Sequence, residues 1–146
     1  MTLHRLVYAS TSLLSDDQDT ARQQIADILN SSRRNNAADD ITGALLFSDT
    51  NFAQVLEGPR AAVDRLYKTL HYDPRHKDLI LLLTEPLKAR QFPQWSMAYL
   101  GQSRSVKEAL EVAAEGVDES SQGNRARRLL ALMGETLHRG GAKQAP

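Results

Sequence analysis

I-T-G-A-L-L-F-S-D-T-N-F-A-Q-V-L-E-G, residues Ile41–Gly58, reads as two strands about a polar turn. Ile41–Phe47 and Phe52–Glu57 are strongly apolar, and the S-D-T-N between them is turn chemistry, so the pattern predicts a β-hairpin. Successive side chains on a strand point to opposite faces. Gln54 therefore shares a face with Phe52 and Leu56, while Ala53 and Val55 point the other way. A strand apolar on both sides is covered on both sides, which buries Gln54. A primary amide has two donors and two acceptor lone pairs, and leaving a buried one unpaired costs about 1–3 kcal/mol. The sequence demands a partner for Gln54.

Working outward from the hairpin, Leu3–Ala9 (L-H-R-L-V-Y-A) reads as a first strand and the polar run Ser10–Asp19 as a loop. The acidic residues ending that loop suit a helix start. Ala21, Ile25, Ile28 and Leu29 then mark one face of a helix running to about Arg34, with Asn35–Asp40 as a polar break. After the hairpin, Gly58-Pro59 stops the strand and opens a second helix, whose apolar stripe is Val63, Leu66, Tyr67 and Leu70. The turn H-Y-D-P-R-H leads to Leu79–Thr84, whose apolar run is expected of a central strand covered on both faces. A short fifth strand is expected around Trp95–Leu100. The resulting order, β-α-β-β-α-β-β, is a ferredoxin-like α+β pattern with two helices on one face of the sheet. Beyond Gly101 the composition shifts, and Val106–Ala114 and Ala126–Leu137 read as helices for the opposite face. The expected organisation is a domain over 1–101 and a helical extension over 102–146.

Bulk properties exclude several classes of function. Lys+Arg and Asp+Glu are both 18 in the 146 residues, leaving no basic excess to displace counterions from a nucleic acid or to steer the chain to a membrane. Cysteine is absent, which removes disulfides, thiolate nucleophiles and cysteine-bound metals. The N-terminus lacks a signal-peptide pattern, and the longest aliphatic run, Leu79–Leu83, is far too short to span a bilayer. The expectation is a soluble, cytoplasmic protein.

Familiar catalytic motifs are missing. Gly43 and Gly58 stand alone, so there is no Gly-rich phosphate loop. The four histidines have poor metal-ligand spacing, and Asp16-Asp17 and Asp39-Asp40 lie in solvated loops. What remains is neutral and polar: Tyr8 on the first strand, Asn35 and Asn36 at the first helix's end, and Gln54. None titrates near neutral pH. An amide offers a donor and an acceptor side by side, matching the N–H and C=O edge of a flat heterocycle. Ile28 and Leu70 can supply apolar walls for such a ring. The residues alone equally allow Asn35-Asn36 to cap a helix and Tyr8 to bond a backbone carbonyl.

R-L-V-Y-A-S (Arg5–Ser10), N-N-x-x-x-x-I-T-G-A-L-L-F (Asn35–Phe47), F-A-Q-V-L-E-G-P (Phe52–Pro59), D-P-R-H (Asp73–His76) and R-x-F-x-x-W-S-M (Arg90–Met97) together resemble the BLUF family of blue-light sensors using FAD. The likeness covers about residues 3 to 101, with five motifs in the family's order. It implies that Tyr8 and Gln54 are the photoactive pair, with Gln54 bridging the Tyr8 hydroxyl and the flavin. It also implies that Asn36, with Asn35 beside it, bonds the ring's pyrimidine end, and that Ile28 and Leu70 sandwich the ring. Ser32, Asp73, Arg75 and His76 join the binding set. Trp95 and Met97 match the pair whose placement near Gln54 changes on illumination. In the family the tyrosine gives up an electron and a proton under blue light, and the glutamine rotates or tautomerises.

The resemblance implies sensing rather than turnover. It also implies a short form without an effector domain, acting on a separate protein partner or through its own homo-oligomer, most simply a dimer. A small flavin-dependent oxidoreductase on the same scaffold is the competing class, though no dinucleotide motif accompanies it. A ligand-free interaction module is the third, and it would purify colourless.

Overall fold

A computed structural model describes residues 2–47, 51–93, 98–99 and 119–138. The elements run β1 (Leu3–Ser12), α1 (Gln18–Ala38), β2 (Thr42–Phe47), β3 (Asn51–Pro59), α2 (Arg60–Leu70), β4 (His76–Leu87), β5 (Ala98–Tyr99) and α3 (Glu119–His138). The sheet order is β4-β1-β3-β2-β5. β1 lies antiparallel between β3 and β4, β2 and β3 form the hairpin, and β5 adds parallel to β2. This is the ferredoxin-like α+β arrangement expected from the sequence.

Alternation divides the core into two layers. Leu6, Tyr8, Leu45, Phe47, Phe52 and Leu56 point to the side where Ile25 and Leu29 of α1 and Ala62 and Val63 of α2 pack. Val7, Ala9, Ala44, Leu46, Ala53 and Val55 point to the other side, which α3 closes with Ala126, Leu129, Leu130 and Met133. These four recur at steps of three and four residues, so one face of α3 is buried. The helix expected over 106–114 lies outside the described residues.

The structure differs from the sequence reading at the ends of β1 and α1 and in the place of β4. β1 continues through Ser12 instead of giving way to a loop at Ser10, because it pairs on both sides, with Asn51 of β3 and with Lys77 and His76 of β4. The helix-opening cap is then Asp17, whose carboxylate accepts the Thr20 N–H at 2.9 Å. α1 does not stop at Arg34 but runs on to Ala38, so Asn35 and Asn36 are helical. Its end is a Schellman motif: the Ile41 N–H reaches the Asn36 carbonyl (2.8 Å), the Asp40 N–H reaches the Ala37 carbonyl (3.3 Å), and Asp40 takes the left-handed position at φ 59°. Finally, β4 is an edge strand, not a central one. Its aliphatic run reflects cover on its faces: Ile80, Leu82 and Leu83 meet the α3 layer and Leu79 the α1/α2 layer, while Leu81 stays 41% exposed.

On the α3 side the sheet buries a charged cluster. Glu57 of β3 is fully buried and accepts Arg5 Nε and Nη2 at 3.0 and 2.8 Å on one oxygen. Its other oxygen accepts the backbone N–H groups of Gln91 and Phe92, both at 2.9 Å. Arg5 also reaches Glu85 of β4 at 3.1 Å, and Glu85 in turn holds Arg127 of α3 at 2.8 and 3.0 Å. A continuous polar line thus joins β3, β1, β4 and α3.

The hairpin's glycine is fixed by close approach. A Cβ on Gly43 would fall 1.9 Å from the Val55 carbonyl oxygen, a backbone atom that cannot swing aside. Gly43→Ala is expected to cost about 1–3 kcal/mol through forced backbone displacement, read as a lower urea midpoint with unchanged m-value.

Candidate functional site

The site is a cleft between α1 and α2, floored by β1 and β3. Its lining is Tyr8, Ile28, Ser32, Leu45, Phe52, Gln54, Leu70, Asp73, Arg75 and His76, and its empty volume, open mouth included, is about 370 Å³. Tyr8 and Gln54 are Cα partners across β1 and β3, so their side chains rise from the sheet together. The buried Tyr8 hydroxyl donates to Gln54 Oε1. Tyr8 is therefore a partner of Gln54, as the opening strand demanded. Leu45 lies directly opposite Gln54 on the other flank and completes the floor.

Burial pushes the Tyr8 phenol far above its ordinary value, and the nearby Asp73 charge adds to the effect. Tyr8 is accordingly a neutral donor at any physiological pH. At the mouth, Asp73 and Arg75 form a forked pair, with Nε to Oδ1 at 2.9 Å and Nη2 to Oδ2 at 2.6 Å. Burial raises the Asp73 carboxyl, but the Arg75 side-chain and backbone hydrogen bonds outweigh it and hold the group below its ordinary value. The pair stays ionised.

His76 is held at both ring nitrogens. Nε2 lies 2.7 Å from the Leu70 carbonyl, which only accepts, so Nε2 carries a hydrogen. Nδ1 lies 2.8 Å from Ser10 Oγ, which in the neutral ring donates to it. The ring thereby ties the last turn of α2, and with it the Leu70 wall, to β1.

Of the residues singled out in the sequence, Tyr8, Ile28, Ser32, Gln54, Leu70, Asp73, Arg75 and His76 meet in this one cleft. Asn36 is buried and follows Ile28 and Ser32 at four-residue steps along the same face of α1, yet it is not part of the cleft lining. Asn35 points outward and is exposed. Trp95 and Met97 lie outside the described residues. Leu45 and Phe52 also line the cleft, although as ordinary apolar strand residues they carry no site signal in the sequence. The hairpin register supplies the missed signal: pairing Phe47 with Phe52 across the turn sets Leu45 opposite Gln54.

Sheet, helices and cleft together define an α+β receptor for a small flat molecule, with neutral hydrogen-bonding groups below, aliphatic walls, and charge at the mouth. The family is also established by similarity. Residues 3–98 match the family described as BLUF, sensors of blue-light using FAD, and the chain belongs to it. The chain is 35% identical over 95 residues to the blue light- and temperature-regulated antirepressor BluF of Escherichia coli (strain K12), covering 65% of this chain and 23% of that protein. It is 36% identical over 97 residues to photoactivated adenylate cyclase subunit beta of Euglena gracilis, covering 66% of this chain and 11% of that protein. The chain thus spans less than a quarter of the length of these curated relatives. Among solved structures, the dark state of the BLUF protein BlrB aligns at TM-score 0.68 and 30% identity, over 90% of this chain and 97% of that one. The photo-activated state of BlsA aligns at TM-score 0.69 and 27% identity, over 88% and 94%.

FAD is the family's cofactor, and the donor set fits it chemically. Gln54 and Tyr8 supply neutral hydrogen bonding for a polar ring edge, Ile28 and Leu70 supply apolar walls, and Arg75 brings cationic N–H groups to the mouth for an anionic tail. Among the described residues no helix is long and apolar enough to cross a membrane.

Proposed function

We propose that the protein is a cytoplasmic blue-light photoreceptor that holds FAD non-covalently in the α1–α2 cleft. It signals through the Tyr8–Gln54 pair to a separate protein partner or to its own oligomer, without catalysing a reaction of its own. The observation that carries this reading is the buried phenol–amide hydrogen bond on the cleft floor.

Ile28 and Leu70 flank the ring, Gln54 meets its polar edge, and Ser32, Asp73, Arg75 and His76 surround the remainder, while Asn36, with Asn35 beside it, enters the proposal through its sequence motif and not through the cleft lining. Trp95 and Met97 enter the proposal through their sequence motif alone. Bound FAD supplies blue-light absorption and, once excited, a strong electron acceptor. Tyr8 is the electron donor on the floor. Tyr8 would give an electron and its hydroxyl proton to the excited flavin and recover both as the flavin returns oxidised, so no net oxidation occurs. The Tyr8–Gln54 Oε1 hydrogen bond would be lost and remade in that cycle. That bond fixes which way the Gln54 amide faces, and breaking it frees the carboxamide to rotate or tautomerise. An amide with different partners at its two ends has two stable arrangements, which is what a switch requires. The segment after Gly101 carries the output, including α3, which packs on the opposite side of the sheet from the cleft.

The test is a spectrum of the purified protein after FAD addition. A yellow protein whose absorption shifts reversibly to the red under blue light, without bleaching, supports the proposal. A protein that stays colourless with FAD, or one that NADH bleaches and light leaves unshifted, overturns it.

A further prediction concerns the wall. Leu70→Asp would set a charge against an apolar ring face and is expected to weaken FAD binding at least tenfold. The readout is calorimetric titration of the flavin-free protein, with a far-ultraviolet spectrum to confirm that the fold survives. Unchanged affinity would place the ring elsewhere.

A further inference from the structure

Glycine inside a helix is unfavourable relative to alanine, because it has more backbone freedom to lose on folding. α3 nevertheless carries Gly134, one residue beyond the buried Met133. A Cβ at that position would lie 3.0 Å from Gln91 Nε2. The glycine leaves a notch for an amide that belongs to the segment after β4.

Both ends of that amide are engaged. Gln91 Nε2 donates to the Leu130 carbonyl at 3.4 Å, and Oε1 accepts from Arg5 Nη2 at 3.1 Å. A backbone carbonyl only accepts and a guanidinium only donates, so one orientation of the amide satisfies both. In an α-helix the carbonyl of residue 130 is also the acceptor for the N–H of residue 134. Gln91 therefore shares the bond that closes the turn at the glycine. Its reach to Leu130 is longer than most N–H···O bonds, and Gln91 is exposed, so water can replace the contact.

The residues around Gln91 tie it to the other side of the sheet. Phe92 is fully buried in the layer that holds Leu129, Leu130 and Met133 of α3. Gln91 and Phe92 both place their backbone N–H groups on the Glu57 carboxylate. Glu57 lies three residues along β3 from Gln54, and Trp95 and Met97 come four and six residues after Gln91. Gln91 and Phe92 thus sit between the strand that carries Gln54 and the helix that covers the opposite face.

We infer that Gln91 is a positioning residue that seats α3 according to the state of the cleft. With the Tyr8–Gln54 bond intact, the amide lies in the Gly134 notch and holds the turn from Leu130 to Gly134. When light rearranges Gln54 and shifts the segment bearing Trp95 and Met97, the amide leaves the notch and α3 loosens. This inference rests on the proposed photoreceptor reading and adds the contact by which its signal crosses the sheet.

The test follows backbone hydrogen exchange of α3 in the full-length, FAD-loaded chain, in the dark and under blue light, alongside the flavin spectrum. In the parent, the amides of residues 130–134 are expected to exchange faster in the light. Gly134→Ala fills the notch without altering Gln91, and Gln91→Leu keeps bulk but has no donor. In both variants the red shift should persist while the light–dark difference in exchange is lost. A merely structural contact would leave that difference in place. Alanine favours the helix, and the end of a flexible side chain can swing aside, so flavin-free Gly134→Ala is expected to unfold at or above the parent's urea midpoint. A red-shifting parent with equal exchange in light and dark would overturn the role of Gln91 and leave the photoreceptor reading standing. So would either variant that keeps the parent's light–dark difference or loses the red shift. A parent without a red shift would overturn the photoreceptor reading and this inference together.

Discussion

Tyr8→Phe is expected to yield a folded, yellow protein in which blue light produces no reversible red shift. Phenylalanine keeps the ring that packs beside Tyr67, whose centroid is 5.7 Å away, and beside His76 at 6.0 Å. The apolar layer around Leu6 and Leu29 is therefore retained, and the walls of the cleft are untouched. What is lost is one oxygen and its hydrogen. Gln54 Oε1 then loses its phenolic donor. More importantly, phenylalanine has no hydroxyl proton to release, so nothing on the floor can drive the amide from one arrangement to the other. Gln54→Leu is the complementary case: the donor survives, the volume is similar, and no amide is left to reorganise, so the shift should vanish there too. The measurement is the difference spectrum between dark and illuminated samples at equal flavin loading. A wild-type shift in Tyr8→Phe would remove Tyr8 from the mechanism, however well the phenol is placed.

How much of this was legible in the sequence depended on whether the signal was local. The hairpin and the two-faced burial around Gln54 follow from period-two alternation, and the structure returns both, with Gln54 buried and Ala53 and Val55 sealed on the other side. The stripe Ala126, Leu129, Leu130 and Met133 follows from helical spacing in the same way. The position of β4 did not, because apolar faces report what lies above and below a strand and not how many strands lie beside it. The end of α1 was misread for a related reason: N-N-A-A-D-D looks like a break by composition, yet an aspartate in the left-handed position closes a Schellman motif as a glycine would. The tie from His76 to Leu70 and Ser10 was unreadable, since it spans β1, α2 and β4 and depends on a ring meeting a helix-end carbonyl.

The same distinction separates the two faces of β3 and leads to the largest stability effect expected in the chain. Gln54 faces the cleft, whereas Glu57, an odd number of residues along, faces the α3 layer, where it has no access to water. A lone buried carboxylate would be prohibitive, but Glu57 is satisfied at both oxygens by Arg5 and by two backbone N–H groups. Glu57→Ala removes all of this at once. Among the described residues it leaves Arg5 with Glu85 alone as a charged partner, and it orphans the Gln91 and Phe92 N–H groups in the segment that leads toward Trp95 and Met97. Breaking a buried pair by deleting one partner costs about 3–5 kcal/mol, a large share of the roughly 5–15 kcal/mol that holds a typical domain together. The flavin-free protein should thus lose about half its denaturant midpoint. The double substitution Arg5→Leu with Glu57→Leu separates the causes, because it removes both charges but still strands the two N–H groups. Partial recovery is expected, with a deficit remaining from the unpaired backbone. Full recovery would mean that Glu57 matters only as a counter-ion. A Glu57→Ala protein as stable as the parent would mean that the cluster contributes no net stability, and that the apolar layer alone holds α3 to the sheet.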